Sequence, residues 1–199
     1  AYLRRSAMNV ANTELQGVVR LLKQMTEQLE SREGYLETEL VSVRRALWRR
    51  DELLQELAKR HKPVLDAVGV TDTSKLLAPL DPAINALQAE AKRLAPNWKF
   101  PAGGPHDAGP EALARQQVGR EFPGSAVRTT LMTDEVFRIR KNSLGIPLDR
   151  SKSGHILYKA PNEQMCRQQT FEYTEVFQGN GYQKPAGVRL HRLRYLNCP

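Results

Sequence analysis

Apolar residues recur along the first third of the chain at a seven-residue period. Leu15, Leu22, Leu29, Leu36, Val43, Leu57 and Val64 share this period, with one polar interruption at Arg50. Such a stripe is the seam of a coiled coil. A second stripe lies three residues on, at Val18 and Met25, then four residues on, at Leu40, Leu47 and Leu54. That switch rotates the contact face around the helix. Thr13 and Gln16 have the spacing of a capping box, and Pro63 and Gly69 bracket the end. The pattern predicts a helix over 13–64, on the order of 70 Å long. Gly34, in SREG, offers a hairpin as the alternative. Leu29 and Leu36 keep phase across it, which favours a single helix.

A seam that long requires a partner helix. The residues expected to face it are Leu15, Leu22, Leu29, Leu36, Val43, Leu47, Leu54 and Leu57, with Arg50 on the seam and Trp48 beside it. Arg44, Arg45 and Arg49 fall off the stripe and read as a solvated mixed-charge face with Asp51 and Glu52. Arg50 is placed to fix register or to meet an acid on the partner, and Trp48 to meet a second packing body.

Beyond the seam, Asp81-Pro82 is an N-cap followed by proline, and Ile84, Leu87, Ala91 and Leu94 recur at helical spacing until Pro96. This shorter helix is expected to fold back on the long one. Prolines and glycines crowd residues 96–127, which read as a linker with at most a short helix from Pro110 to Val118 and with Trp98 and Phe100 as anchors. After Thr130 the period is lost. VFRIR (136–140), HILYKA (155–160), TFEYTEVF (170–177) and VRLHRLRYL (188–196) are each short-strand candidates. They fit either a small antiparallel sheet or an arm draped over partners. Weak alternation favours the arm. The predicted fold class is therefore mainly α: a tail (1–12), a long heptad helix (13–64), a connection and second helix (65–95), a linker (96–127), and a basic, mostly irregular arm with short β-hairpins (128–199).

Charge sharpens the arm. The chain of 199 residues has a formal net charge of +8. Residues 1–100 hold 16 Lys and Arg against 13 acids, whereas residues 101–199 hold 14 against 9. An excess of this kind favours acidic partners. The expected contacts are Arg138, Arg140, Lys141, Arg189, Arg192 and Arg194, the last three interleaved with Leu190, His191 and Tyr195. Acidic protein surfaces are the first expectation and RNA the second.

Catalytic signatures do not emerge. His155, Cys166, His191 and Cys198 lie too far apart in sequence for the paired spacing of a zinc site. No Gly-rich phosphate cradle occurs, and RSKSG (150–154) reads as a basic serine-rich loop open to phosphorylation. Glu172 and Glu175 flank Tyr173 with the look of solvent-facing acids. No cofactor, metal, small-molecule substrate or membrane insertion is expected. Two cysteines without a C-x-x-C fit a reducing intracellular compartment, cytoplasmic or cytoskeletal first and mitochondrial or other organellar second, while leaving room for one disulfide. The expected role is non-enzymatic: a structural or accessory subunit of a large assembly, with an RNA-contacting ribonucleoprotein subunit as the alternative.

Overall fold

A computed structural model describes residues 2–36, 80–161 and 163–199, together with isolated positions between 55 and 66. The chain divides into two compact units, Ala1–Arg93 and Leu94–Pro199.

In the first unit, helix α1 (Tyr2–Gln28) begins well before the Thr13 cap. It ends before Gly34, which corrects the single helix over 13–64. The N–H of Arg32 donates to the Gln28 carbonyl and that of Gly34 to the Leu29 carbonyl, at 3.1 and 2.9 Å. Glu33 and Gly34 take positive φ angles of 53° and 74°. A left-handed glycine of this kind closes a helix by satisfying its last carbonyls. Leu22, Met25, Leu29 and Leu36 are buried within the chain, so this part of the heptad stripe is core rather than an open seam. Helix α2 (Leu80–Leu94) carries Asp81 in its first turn and Lys92 and Arg93 in its last, each complementing the helix dipole. Its buried stripe is Leu80, Ala83, Ile84, Leu87, Ala91 and Leu94. Arg93 bonds back to Glu90 one turn earlier, at 2.7 and 2.8 Å.

The second unit overturns the mainly α expectation: the stretch read as a linker and irregular arm is an antiparallel sheet with a helix on it. After a 3-10 turn (Ala95–Asn97) come helix α3 (Ala108–Glu121) and strands β1 (Ala126–Met132), β2 (Arg138–Lys141), β3 (Pro147–Lys159), β4 (Cys166–Phe177), β5 (Tyr182–Gln183) and β6 (Arg189–Leu196). Strands β3 and β4 form the long central pair, from Asp149 opposite Val176 to Tyr158 opposite Arg167. On the outer side of β3 sit β1, along Gly154–Lys159, and β2, along Pro147–Ser151. On the outer side of β4 sit β6, along Cys166–Glu172, and β5, along Val176–Phe177.

Strand alternation divides the side chains between two faces. Helix α3 lies on the face of Arg150, Lys152, Ile156 and Tyr158. There the Phe122 ring stacks on Tyr158 at 5.4 Å, and the Thr130 hydroxyl donates to Glu111 at 2.5 Å. The amide of Asp107 and Nδ1 of His106 also reach Glu111, each at 3.0 Å. Burial pulls the Glu111 pKa upward, but these partners outweigh it and hold the carboxyl below its ordinary value. Part of the opposite face is covered by the 95–100 segment. Trp98 and Phe100 pack there on Leu157, Cys166 and Leu196, and a disulfide joins Cys166 to Cys198. The NWKF anchors thus pin the chain to a sheet.

Gly154, the last residue of the RSKSG stretch read as a loop, sits in mid-strand opposite Phe171. A Cβ there would lie 2.6 Å from the Leu131 carbonyl oxygen and clash with the edge of the Phe171 ring. The strand requires glycine because a ring and a backbone already fill the space.

Candidate interaction surface

Strands β2 and β3 are joined by a turn, Lys141–Pro147, that is built on one side chain. Asn142 Oδ1 accepts the backbone N–H groups of both Leu144 and Ile146, each at 2.9 Å. Its own N–H donates to the Ile146 carbonyl, and Gly145, at φ 79°, returns its N–H to the Asn142 carbonyl. Asparagine and glycine suit these roles: one mimics a backbone turn and the other accepts the left-handed conformation. The turn is fixed by hydrogen bonds, yet it points apolar side chains at water. Leu144 is 81% exposed.

This turn belongs to a larger patch. Every large apolar side chain that stands exposed among the described residues lies at this end of the sheet: Val136, Ile139, Leu144, Ile146, Leu148 and Val176. Isolated exposed leucines are ordinary, whereas their confinement to one end of one sheet is a mark of contact.

Behind the patch, the α3-side face is stiffened by a cation held between rings. The Arg150 guanidinium lies 4.3 Å from the centroids of both Phe137 and Tyr182 and donates to Glu175 at 2.6 Å. Buried Glu175 also accepts the Tyr173 hydroxyl, at 2.7 Å. Lys152 lies 4.8 Å from the Phe137 centroid and pairs with Asp107 at 3.1 Å. Phe177 packs on Tyr182 at 5.3 Å. Arginine between two rings gains cation–π attraction while its charge is met by a carboxylate. Glu175, expected to face solvent, is thus the buried anchor of this cluster.

The expected arm contacts disperse. Arg138 bonds Asp134 and Ser153, at 2.6 and 2.7 Å, and Arg140 grips Asp149 through Nε and Nη2. Both lie on the face opposite α3, as their partners Ser151 and Asp149 show. Lys141 is exposed at the end of β2. Arg189 and Arg192 are exposed on β6, about three strand spacings away, roughly 14 Å. Arg194 is a core residue: it is buried, donates to Gln168 at 3.1 Å and lies over the Trp98 ring. Among the seam residues, Leu22, Leu29 and Leu36 are buried, and Leu15 lies on α1. Val43, Leu47, Trp48, Arg50, Leu54 and Leu57 fall outside the described residues.

The chemistry-bearing candidates separate in the same way. Cys166 and Cys198 are spent on each other, so neither is a thiolate ligand. His155 lies near Thr170, at 3.4 Å, and its ring meets Phe100 in a T-shaped contact. Burial, with the Arg194 guanidinium nearby, lowers its pKa to about 4. His191 reaches Glu172 at 3.3 Å. RSKSG is the middle of β3, where Ser151 and Ser153 pair with Thr174 and Glu172; it is a strand rather than an open loop.

Sequence reasoning missed Phe137, Arg150, Tyr182, Leu144 and Ile146. The signal for Leu144 and Ile146 was local: Asn142, Gly145 and Pro147 mark a turn, and two aliphatic residues stand inside it where polar ones are usual; Phe137, Arg150 and Tyr182 meet only in the folded sheet. Comparison with protein families, with curated proteins and with solved structures found no match for this chain.

Proposed function

We propose that the chain is a non-enzymatic binding module, a structural or accessory subunit that engages a protein partner through the β2–β3 end of its sheet. The carrying observation is the confinement of exposed aliphatic side chains to that end, on a turn ordered by Asn142. An ordered apolar tip with the cations Arg138, Arg140 and Lys141 on the adjoining strand has the make-up of a contact surface, which combines an apolar centre with a charged rim. Leu144→Asp with Ile146→Asp places charge on the tip while the Asn142 bonds, which use backbone N–H groups, remain. Affinity purification from native cells should lose its co-purifying proteins with this variant while the thermal midpoint is unchanged. Retention of the same partners would sink the reading.

RNA contact is the second reading. It is favoured by Arg138, Arg140 and Arg189 sharing the face opposite α3. Phosphate binding by these residues would make RNA affinity fall steeply with salt. The ion pairs already formed on that face, Arg138 to Asp134 and Arg140 to Asp149, weaken the case.

A further inference from the structure

Strand β2 borders β3 on one side. Among the described residues no strand meets its other side, which leaves a row of backbone N–H and C=O groups facing outward. All four of its residues are exposed. Open edges are usually guarded, and this one has three guards: it is short, it carries Arg138, Arg140 and Lys141, and its register shifts between Arg140 and Lys141. The guard is selective, because the charge is of one sign. We propose that the open edge of β2 receives an extended acidic segment of a partner protein as an added strand, in the sequence order acid–apolar–acid. This rests on the protein-binding reading above and specifies the partner's chemistry.

The order follows from alternation. Arg138 and Arg140 point to the face opposite α3, and Ile139, paired with Arg150, points to the α3 side. An incoming strand alternates in step, so residues opposite the two arginines share their face while the one between them meets Ile139. Carboxylates suit the first two places and an aliphatic side chain the third. Asp134 and Asp149 already hold the arginines in orientation, and a guanidinium has five N–H donors, more than one carboxylate takes. A second copy of this chain would bring Arg138 and Arg140 against their own equivalents, and like charges opposite each other repel. RNA supplies phosphates but no peptide ladder. An acidic strand meets both the charge and the backbone requirement.

The test uses the full chain, 15N-labelled, titrated with a capped synthetic peptide of alternating glutamate and valine. A lysine–valine peptide and two N-methylated forms of the acidic peptide serve as comparisons, one methylated on every glutamate nitrogen and the other on every valine nitrogen. Successive N–H groups of a strand point to opposite edges, so only one methylated form blocks the edge that pairs. Strand addition predicts shifts centred on the β2 amides and binding at least ~10-fold tighter for the acidic than the basic peptide. It predicts loss of binding for one methylated form alone. Arg138→Glu with Arg140→Glu should reverse the charge preference, with unchanged signals from α3 and β6, which neither arginine touches, confirming the fold. Equal binding of the two methylated forms, equal binding of acidic and basic peptides, or no binding at millimolar peptide overturns the proposal. Partner loss on Leu144→Asp with Ile146→Asp is read separately, so the broader reading stands or falls on its own.

Discussion

His155 is a histidine that the fold keeps neutral. Its pKa moves from 6.5 to about 4 because burial disfavours the charged ring and Arg194 adds repulsion. Protonation therefore favours the unfolded chain. The stabilising contribution is complete above pH 6.5 and is lost as the pH falls toward 4. After discounting for the partly exposed ring, the loss is about 1–2 kcal/mol. Denaturant midpoints measured from pH 7 to 4 should fall less for His155→Gln than for the parent chain; equal slopes would remove His155 as the cause. No local pattern around this residue pointed to its role, since its neighbours Arg194, Phe100 and Thr170 come from other segments.

At the level of elements, β1, β3 and β4 meet closely at Gly154. Gly154→Ala forces its methyl group against the Leu131 carbonyl and the Phe171 ring, and overpacking of this kind costs about 2–3 kcal/mol. Thermal unfolding should report that loss, and an unchanged midpoint would show that the strands part easily. Strands β1 and β5 were not foreseen, whereas the segments VFRIR, HILYKA, TFEYTEVF and VRLHRLRYL overlap β2, β3, β4 and β6, so those four strands were legible one by one. Their assembly was not, because β4 opens with four consecutive buried residues, Cys166 to Gln169, of which three are polar or charged. Arg167, Gln168 and Gln169 are buried with partners: Arg167 bonds Glu163 at 2.8 Å, Gln168 accepts Arg194, and Gln169 accepts the Tyr158 hydroxyl at 2.9 Å. A strand with cover on both faces shows no alternation of apolar and polar residues. The heptad stripe misled in the other direction. Leu29 and Leu36 sit seven apart on either side of a left-handed turn, and both are buried, so spacing alone imitated a continuous helix. The candidate surface was legible only as a turn; that its aliphatic residues face solvent is a property of the folded sheet.

On the scale of the whole molecule, the second unit is closed by its cysteines. They bracket a separation of 32 residues that contains β4, β5 and β6. Closing such a loop in the unfolded chain is worth about 3–4 kcal/mol on the chain-entropy account. Cys166→Ala with Cys198→Ala should lower the unfolding free energy of this unit by that amount, with the loss read in denaturant titrations by Trp98 fluorescence. A loss below ~1 kcal/mol would assign closure to packing on Leu157 and Leu196 instead. This closure lies at the Trp98 end, whereas the exposed aliphatic tip is at the other. Because Asn142 fixes the backbone of that tip before any encounter, the turn has little main-chain freedom left to lose on docking. Association is then limited by collision and orientation rather than by rearrangement, and differences among partners should appear in how long they stay rather than in how fast they arrive.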